Sequence, residues 1–392
     1  MKAEFSFTYG ENTYCLAAQD GAVYEPEKDI RVSVVKKDYP AFDAEEWVLY
    51  FENNSDCNSG IFSDIWDCDT LLPFEDQSKP RNGYRPVEGD SCVITMNGTV
   101  DGRYYWENDK VSATEYNFQY EYLDKAREQT KQFANVGGRS SDGTMPFFDV
   151  TSKGEGYIAA VGWTGDWKAE FAKKEEGIRM KSGLTETAFY LEPGEKIRTS
   201  SVLIMHYSAE EDKHNKFRRL IKNHCSHKSH TGASREGLMA CELWGGLTSE
   251  EMKKRLNELK DHGIRFEDVW IDAGWYGNCT KCDEAFSGDW AAHTGNWNVN
   301  PRVHPGGLAD VAACAKEAGM HLMLWFEPER AVEGTPMTVE HPDWFLRFQD
   351  RTNLILNYGK KEARDYICDL ILAYVEKLEL SCYRQDFNVC LT

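Results

Sequence analysis

Hydrophobic and polar positions change their rhythm once along this chain. Over residues 1–220 the apolar side chains come in short runs rich in Val, Ile, Tyr, Phe and Thr, such as 31–35, 47–52 and 187–191. Turn clusters like Asn53-Asn54-Ser55-Asp56 and Arg81-Asn82-Gly83 interrupt them. Short strands broken at repeated intervals predict a β-sandwich rather than a parallel sheet. Residues 137–143 read as a loop by composition, and Gly162-Trp163-Thr164-Gly165-Asp166-Trp167 places two indoles on a glycine-hinged segment. A short helix is expected over 209–223.

From about residue 236 strand and helix patterns alternate. Thr248-Ser249-Glu250-Glu251 reads as a capping box, followed by Met252, Leu256 and Leu259 at helical spacing and Gly263 as the stop. Strands are predicted over 266–272, 320–327 and 381–388. Helices are predicted over 308–318, closed by Gly319, and over 361–378, where apolar residues fall at 363, 367, 370, 371, 374 and 378. This alternation predicts parallel α/β packing, with chemistry at the C-terminal ends of the strands. The expected organisation is a β-sandwich over 1–225, a linker over 226–235 and part of a (β/α)8 barrel over 236–392.

Composition narrows the function. With 41% hydrophobic and 28% charged residues the chain is built to fold. The formal net charge of −20 repels phosphate backbones and anionic lipid, so neither nucleic acid nor a membrane is an expected partner. A neutral substrate suits such a surface. The opening MKAEFSFTYGENTY has no apolar core of the kind a secretory signal carries. Twelve cysteines scatter from Cys15 to Cys390, with Cys241, Cys314, Cys368 and Cys382 inside apolar segments, which predicts reduced thiols and a cytoplasmic protein. Cys279-Thr280-Lys281-Cys282 is a lone CxxC and reads as a pair of loop cysteines. The run from His224 to His230 has the composition of a metal tract, but it falls where the pattern changes and reads as a polar linker. No metal and no cofactor are expected.

The candidate chemistry lies at three strand ends: Trp270-Ile271-Asp272, Trp325-Phe326-Glu327 and Arg384-Gln385-Asp386. Alternation puts Trp270 with Asp272, Trp325 with Glu327, and Arg384 with Asp386 and Asn388 on shared faces. One such acid alone is explained by capping the next helix. Three at one topological position, beside indoles, fit a sugar site, with acceptors for hydroxyls and flat faces for the ring.

Five motifs in order strengthen that reading. Glu267-Asp268-Val269-Trp270-Ile271-Asp272-Ala273-Gly274-Trp275, Gly288-Asp289-Trp290, Pro305-Gly306-Gly307-Leu308, Leu324-Trp325-Phe326-Glu327-Pro328-Glu329 and Tyr383-Arg384-Gln385-Asp386-Phe387-Asn388 together resemble the catalytic domain of glycoside hydrolase family 36, the α-galactosidase (melibiase) family. The resemblance implies a retaining hydrolase of terminal α-galactosides, with an oligosaccharide or glycoconjugate as its substrate. It implies that Asp386 is the nucleophile, with Arg384 supplying a cation on its face in place of the family's lysine. Asp272 would hold galactose hydroxyls, Ala273 replaces a second family aspartate, and Glu242 matches the acid after the first strand. Trp275 and Trp325 would wall the site, with a core role equally open for Trp325, and Glu327 and Asn388 would line it.

In the family the second catalytic carboxylate comes from a later barrel strand. Residues 236–392 are too few for the ~250 of a whole barrel, so half a barrel is expected, lacking that acid, with open edges that favour a homo-oligomer. Two other readings stay open: a sugar-binding protein without turnover, and a relative with N-acetylgalactosaminidase or transglycosylase specificity, to which Ala273 would give room.

Overall fold

The computed structural model describes residues 1–74, 91–98, 118–123, 130–135, 138–226, 239–282, 287–347 and 352–388. The expected turn at Arg81-Asn82-Gly83 lies outside them. The chain divides into two compact units, residues 1–233 and 234–391. No helix among the described residues is long and apolar enough to cross a membrane.

The first unit is a β-sandwich. Among the described residues its largest sheet has eight strands and runs antiparallel, with Ile30–Tyr39, Ala44–Asn53, Lys196–Tyr207 and Glu155–Gly162 at its centre. Two four-stranded sheets complete it, one containing Glu4–Tyr9 and the other Trp167–Lys173. Period-2 alternation decides which side chains enter the core. Val32 and Val34 are buried opposite Phe51 and Leu49, while Val35, the next residue, stays 53% exposed. Phe5, Phe7, Trp47, Phe62, Phe148, Trp167 and Phe171, drawn from all three sheets, form one apolar cluster. Asp67 is buried in this unit because the strand Lys196–Tyr207 shifts register between Arg198 and Ser201 and offers it the Ser200 amide at 3.1 Å and the Thr199 and Ser200 hydroxyls. The strand expected over 187–191 is only Ala188–Phe189. The expected helix is present as Lys213–His224.

The second unit is part of a barrel. Four parallel strands, β1 (Ala240–Leu243), β2 (Asp268–Ile271), β3 (His321–Phe326) and β4 (Cys382–Gln385), pair in chain order. Helices α1 (Ser249–Asp261), α2 (Ala309–Glu317) and α3 (Lys361–Leu378) cross between them. The helix α1 is capped by Thr248 Oγ1, which accepts the Glu251 amide at 3.2 Å. Glu251 does not complete the box: its carboxylate turns to Arg255 at 3.0 Å. Met252, Leu256, Val311, Ala315, Ala363 and Ile367 are buried with Val269, Ile271, Leu322, Leu324 and Phe326 in one core. A small antiparallel sheet of Arg330–Val332, Asn353–Leu356 and Phe345–Arg347, unforeseen in the pattern, intervenes between β3 and α3.

Candidate active site

Paired residues of neighbouring strands point the same way, so the register defines a common face. Glu242 pairs with Trp270, Trp270 with Met323, and Trp325 with Arg384. Residues of the other parity, Leu243, Ile271, Leu324 and Phe326, are in the helix-facing core. Glu242, Trp270, Trp325 and Arg384 therefore share the barrel's inner face. Three of them present buried polar atoms without a hydrogen-bond partner: Glu242 Oε1, Trp270 Nε1 and Arg384 Nε. Unsatisfied atoms converging on one face are the mark of a place where something polar binds.

Asp386 follows β4 directly, its amide bonded to Phe326 O at 2.9 Å. Three N–H donors hold its carboxylate: Phe387 N at 2.9 Å on Oδ1, and Trp325 Nε1 at 3.0 Å and Asn388 Nδ2 at 3.1 Å on Oδ2. Such a set fixes the rotamer and directs the oxygens. Asp272 follows β2 in the same way, and its Oδ1 accepts the Ala273 amide at 2.7 Å. Burial, reinforced by Glu242 and Asp386 and opposed by that amide and Arg384, pushes its carboxyl up to about 6. Asp272, Glu242, Asp386 and Arg384 thus form one electrostatic cluster.

Glycine places Asp272 there. A Cβ on Gly245 would sit 2.3 Å from Asp272 O, so the chain after β1 packs directly against this backbone. Gly274 has φ +99°, which only glycine adopts freely, and the chain turns there away from the rim.

Several expected roles are corrected by this geometry. Trp275 is no wall: after the Gly274 turn it is fully buried among Tyr276, Trp297, Phe326 and Tyr374, and its Nε1 donates to Trp325 O at 2.9 Å. Glu327 has no surface to offer a ligand. It is 0% exposed and is gripped by Arg330 Nε at 2.7 Å and Nη2 at 2.5 Å, with the Asn388 amide also at 2.7 Å. Among the described residues no ion pair joins Arg384 to Asp386; instead its guanidinium lies 3.9 Å from the centre of the Trp270 ring. Trp325 is 1% exposed and reaches the site only through its N–H. Ala273 is 2% exposed in the apolar cluster and offers neither an acceptor nor an opening.

Three side chains escaped the sequence reading of the site. Tyr276 stacks on Trp325 with centroids 5.8 Å apart and planes 8° from parallel, and Trp290 meets Trp325 edge-on at 5.8 Å. Glu329 accepts from Gln385 Nε2, and burial, with Glu327 and Asp386 adding, raises its carboxyl. Its place two residues after Glu327, behind a proline, was the available signal.

The melibiase family model matches residues 198–392, from the last long strand of the sandwich through the second unit. The alpha-galactosidase Mel36A of Lactobacillus acidophilus is 25% identical over 282 residues, covering 67% of this chain and 37% of its own. The alpha-galactosidase AgaA of Geobacillus stearothermophilus is 26% identical over 276 residues, covering 65% of this chain and 36% of its own. Among solved structures, the alpha-galactosidase of Lactobacillus brevis superposes with a TM-score of 0.72 at 17% identity, over 99% of this chain and 53% of that one. A variant of AgaA in complex with raffinose gives 0.71 at 18%, over 99% and 55%. The chain therefore spans about half the length of these solved relatives and less than half of the curated ones. The five ordered motifs, three of them at the ends of the parallel strands, agree with these matches: the chain belongs to the melibiase family, the α-galactosidases of glycoside hydrolase family 36.

Proposed function

We propose that this chain carries the nucleophile side of a retaining α-galactosidase site, acting on terminal α-linked galactose in oligosaccharides of the raffinose type. The observation that carries the reading is the Asp386 carboxylate, held by three N–H donors at the end of β4 and facing the Asp272–Glu242–Arg384 cluster. In the reaction an Asp386 oxygen attacks the anomeric carbon as the glycosidic C–O bond breaks, giving a glycosyl ester that water later hydrolyses. A second carboxyl, across the glycosidic bond and ~5–5.5 Å away, protonates the leaving oxygen and then deprotonates the water. Asp272 and Glu242 accept sugar hydroxyls, and their charge, with that of Asp386, favours the positive oxocarbenium-like transition state.

The test is covalent labelling of the 392-residue chain with 2-deoxy-2-fluoro-α-galactosyl fluoride, whose fluoride leaves with little protonation. The mass gain is expected on the peptide holding Asp386 and should vanish in Asp386→Asn. A label on Asp272 or Glu242 refutes the assignment. Binding of the sugar with no label at all would favour a sugar-binding protein without turnover. An N-acetylgalactosaminyl reagent that labelled faster would move the specificity. We also place the chain in a reducing, cytoplasmic compartment, on the scattered placement of its cysteines from Cys15 to Cys390; protein isolated under acid trapping that carried disulfides would overturn this.

A further inference from the structure

The segment between β2 and α2 holds a second group of chemistry-bearing side chains that the sugar site leaves unused. Cys279 Sγ, an Asp289 carboxylate oxygen and a His293 ring nitrogen lie within 4.8 Å of one another. They come from a buried turn after Tyr276 and from the two ends of the short 3-10 turn Trp290–His293, which Asp289 precedes. His293 Nε2 is 3.5 Å from Asp289 Oδ2. A tetrahedral zinc ion with bonds of ~2.0–2.1 Å to nitrogen and oxygen separates those two ligand atoms by about 3.4 Å. This edge of a coordination tetrahedron is already in place.

The carboxylate is also oriented from behind. Asp289 Oδ1 accepts from Thr280 N at 2.7 Å and Thr280 Oγ1 at 3.0 Å, which leaves Oδ2 toward His293. Metal-ligating carboxylates are commonly fixed by such outer hydrogen bonds. The third donor, Cys279, is 1% exposed, while Asp289 is exposed and gives an ion a route in. The other cysteine of the CxxC lies outside the group. Both thiols donate to backbone carbonyls, Cys279 Sγ to Tyr276 O at 3.0 Å and Cys282 Sγ to Ser287 O at 3.1 Å and Thr280 O at 3.4 Å, so an ion at the site replaces the Cys279 S–H contact as the thiol loses its proton. A set of one sulfur, one imidazole and one carboxylate selects a borderline-soft divalent cation over magnesium or calcium.

We propose that Cys279, Asp289 and His293 form a three-ligand site for a zinc-like divalent cation, with the fourth position open to solvent. The proposal is independent of the sugar chemistry. An ion there ties the turn after Tyr276 to the turn that carries Trp290. Since Trp290 meets Trp325 edge-on, and Trp325 Nε1 bonds Asp386, the ion braces the wall behind the carboxylate. Cys279, Asp289 and His293 are positioning residues in this role.

The test is titration of the chelator-treated 392-residue chain with Co2+, a spectroscopic stand-in for Zn2+. One tightly bound Co2+ per chain is expected, with tetrahedral visible bands and a near-ultraviolet thiolate band, both removed by one equivalent of Zn2+. Cys279→Ser should abolish the thiolate band. His293→Ala and the exposed Asp289→Asn should each weaken binding at least ~10-fold. Cys282→Ser should change neither band nor affinity. Far-ultraviolet circular dichroism identifies any variant that has not folded, and Asp289→Asn then carries the test, since its side chain is at the surface. A thiolate band that survives in Cys279→Ser, affinity unmoved in Asp289→Asn, or no stoichiometric Co2+ in the parent chain would overturn the site.

Discussion

Replacing Arg330 by Met should destabilise the second unit by about 3–5 kcal/mol, the range for stranding one member of a buried ion pair. The structure gives the reason bond by bond. The Arg330 guanidinium donates to Glu327 Oε1 and Oε2, Thr294 Oγ1 at 2.9 Å, Asn353 Oδ1 at 2.9 Å and Ala291 O at 3.2 Å. Take it away, and Glu327, 0% exposed, keeps only the Asn388 amide at 2.7 Å. A loss of that size changes the folded-to-unfolded ratio on the order of 10²–10⁴-fold. Guanidinium unfolding followed by tryptophan fluorescence reads it directly, because seven of the twelve tryptophans lie beyond residue 243. The two units are fitted as separate transitions, since a two-unit chain need not unfold in one step. Glu327→Met combined with Arg330→Met should recover at least half of the loss, because an apolar pair strands no charge. If Arg330→Met costs less than about 1 kcal/mol, the pair behaves like a surface ion pair and the reasoning fails. If Glu327→Gln spares stability but abolishes sugar binding, Glu327 is a ligand contact after all.

Three further outcomes follow from the same geometry. Trp325→Phe keeps an aromatic ring but deletes the donor to Asp386, a hydrogen bond to a charged group worth ~1.5–3 kcal/mol; covalent labelling of Asp386 should slow about 10–100-fold, and an unchanged rate would show that this N–H does not position the carboxylate. Asp272, whose carboxyl is raised to about 6 from 3.8, keeps its proton in the folded chain between those values while the unfolded chain has lost it, so stability falls as pH rises through that window. Asp272→Asn should therefore gain about 1–2 kcal/mol over the parent at pH 8, after allowing for solvent screening, and gain nothing at pH 3; a variant less stable than the parent at pH 8 contradicts the burial argument. Gly245→Ala puts a methyl 2.3 Å from Asp272 O and should cost about 1–3 kcal/mol while weakening sugar binding, and intact binding in a folded variant would mean that the backbone contact does not set the position of Asp272.

How far the sequence reached depended on how many residues each pattern spans. The helix expected over 361–378 has those bounds in the structure, because six apolar positions over five turns leave little freedom. The strands Arg330–Val332, Phe345–Arg347 and Asn353–Leu356 have three or four residues each, too few for an alternation to register. The site shows the same limit. Alternation assigns faces only within a strand, and β2, β3 and β4 end at Ile271, Phe326 and Gln385. Asp272, Glu327 and Asp386 each stand one residue beyond. At Asp272 and Asp386 the chain continues far enough to keep the carboxylate with the inner-face cluster. At Glu327 it does not, since Pro328 follows and Arg330, three residues on, captures the carboxylate. That i,i+3 opposite charge was legible; what it would outweigh was not. Trp275 was misplaced for a related reason, because a shared motif says nothing of the positive φ at Gly274 that sends the next side chain inward.

The residues that failed as ligand contacts explain how Asp386 is held. The Asn388 amide binds Glu327, and its side-chain amide binds Asp386, so the buried Glu327–Arg330 pair fixes the chain just past β4 and with it one donor to the carboxylate. Trp275 donates to Trp325 O, Tyr276 stacks on the Trp325 ring, and Trp325 Nε1 supplies a second donor. The third is the Phe387 amide. Trp325, Trp275, Tyr276 and the Glu327–Arg330 pair are buried, and they anchor the exposed Asn388 through its amide, which is what holding a reacting group within a fraction of an ångström requires. Ligand contact is left to Glu242, Asp272 and Arg384, two of which present buried polar atoms without a partner. On this division, substitutions among Trp275, Glu327 and Arg330 should lower stability and labelling rate together. Substitutions at Glu242 and Arg384 should alter sugar affinity with the fold intact.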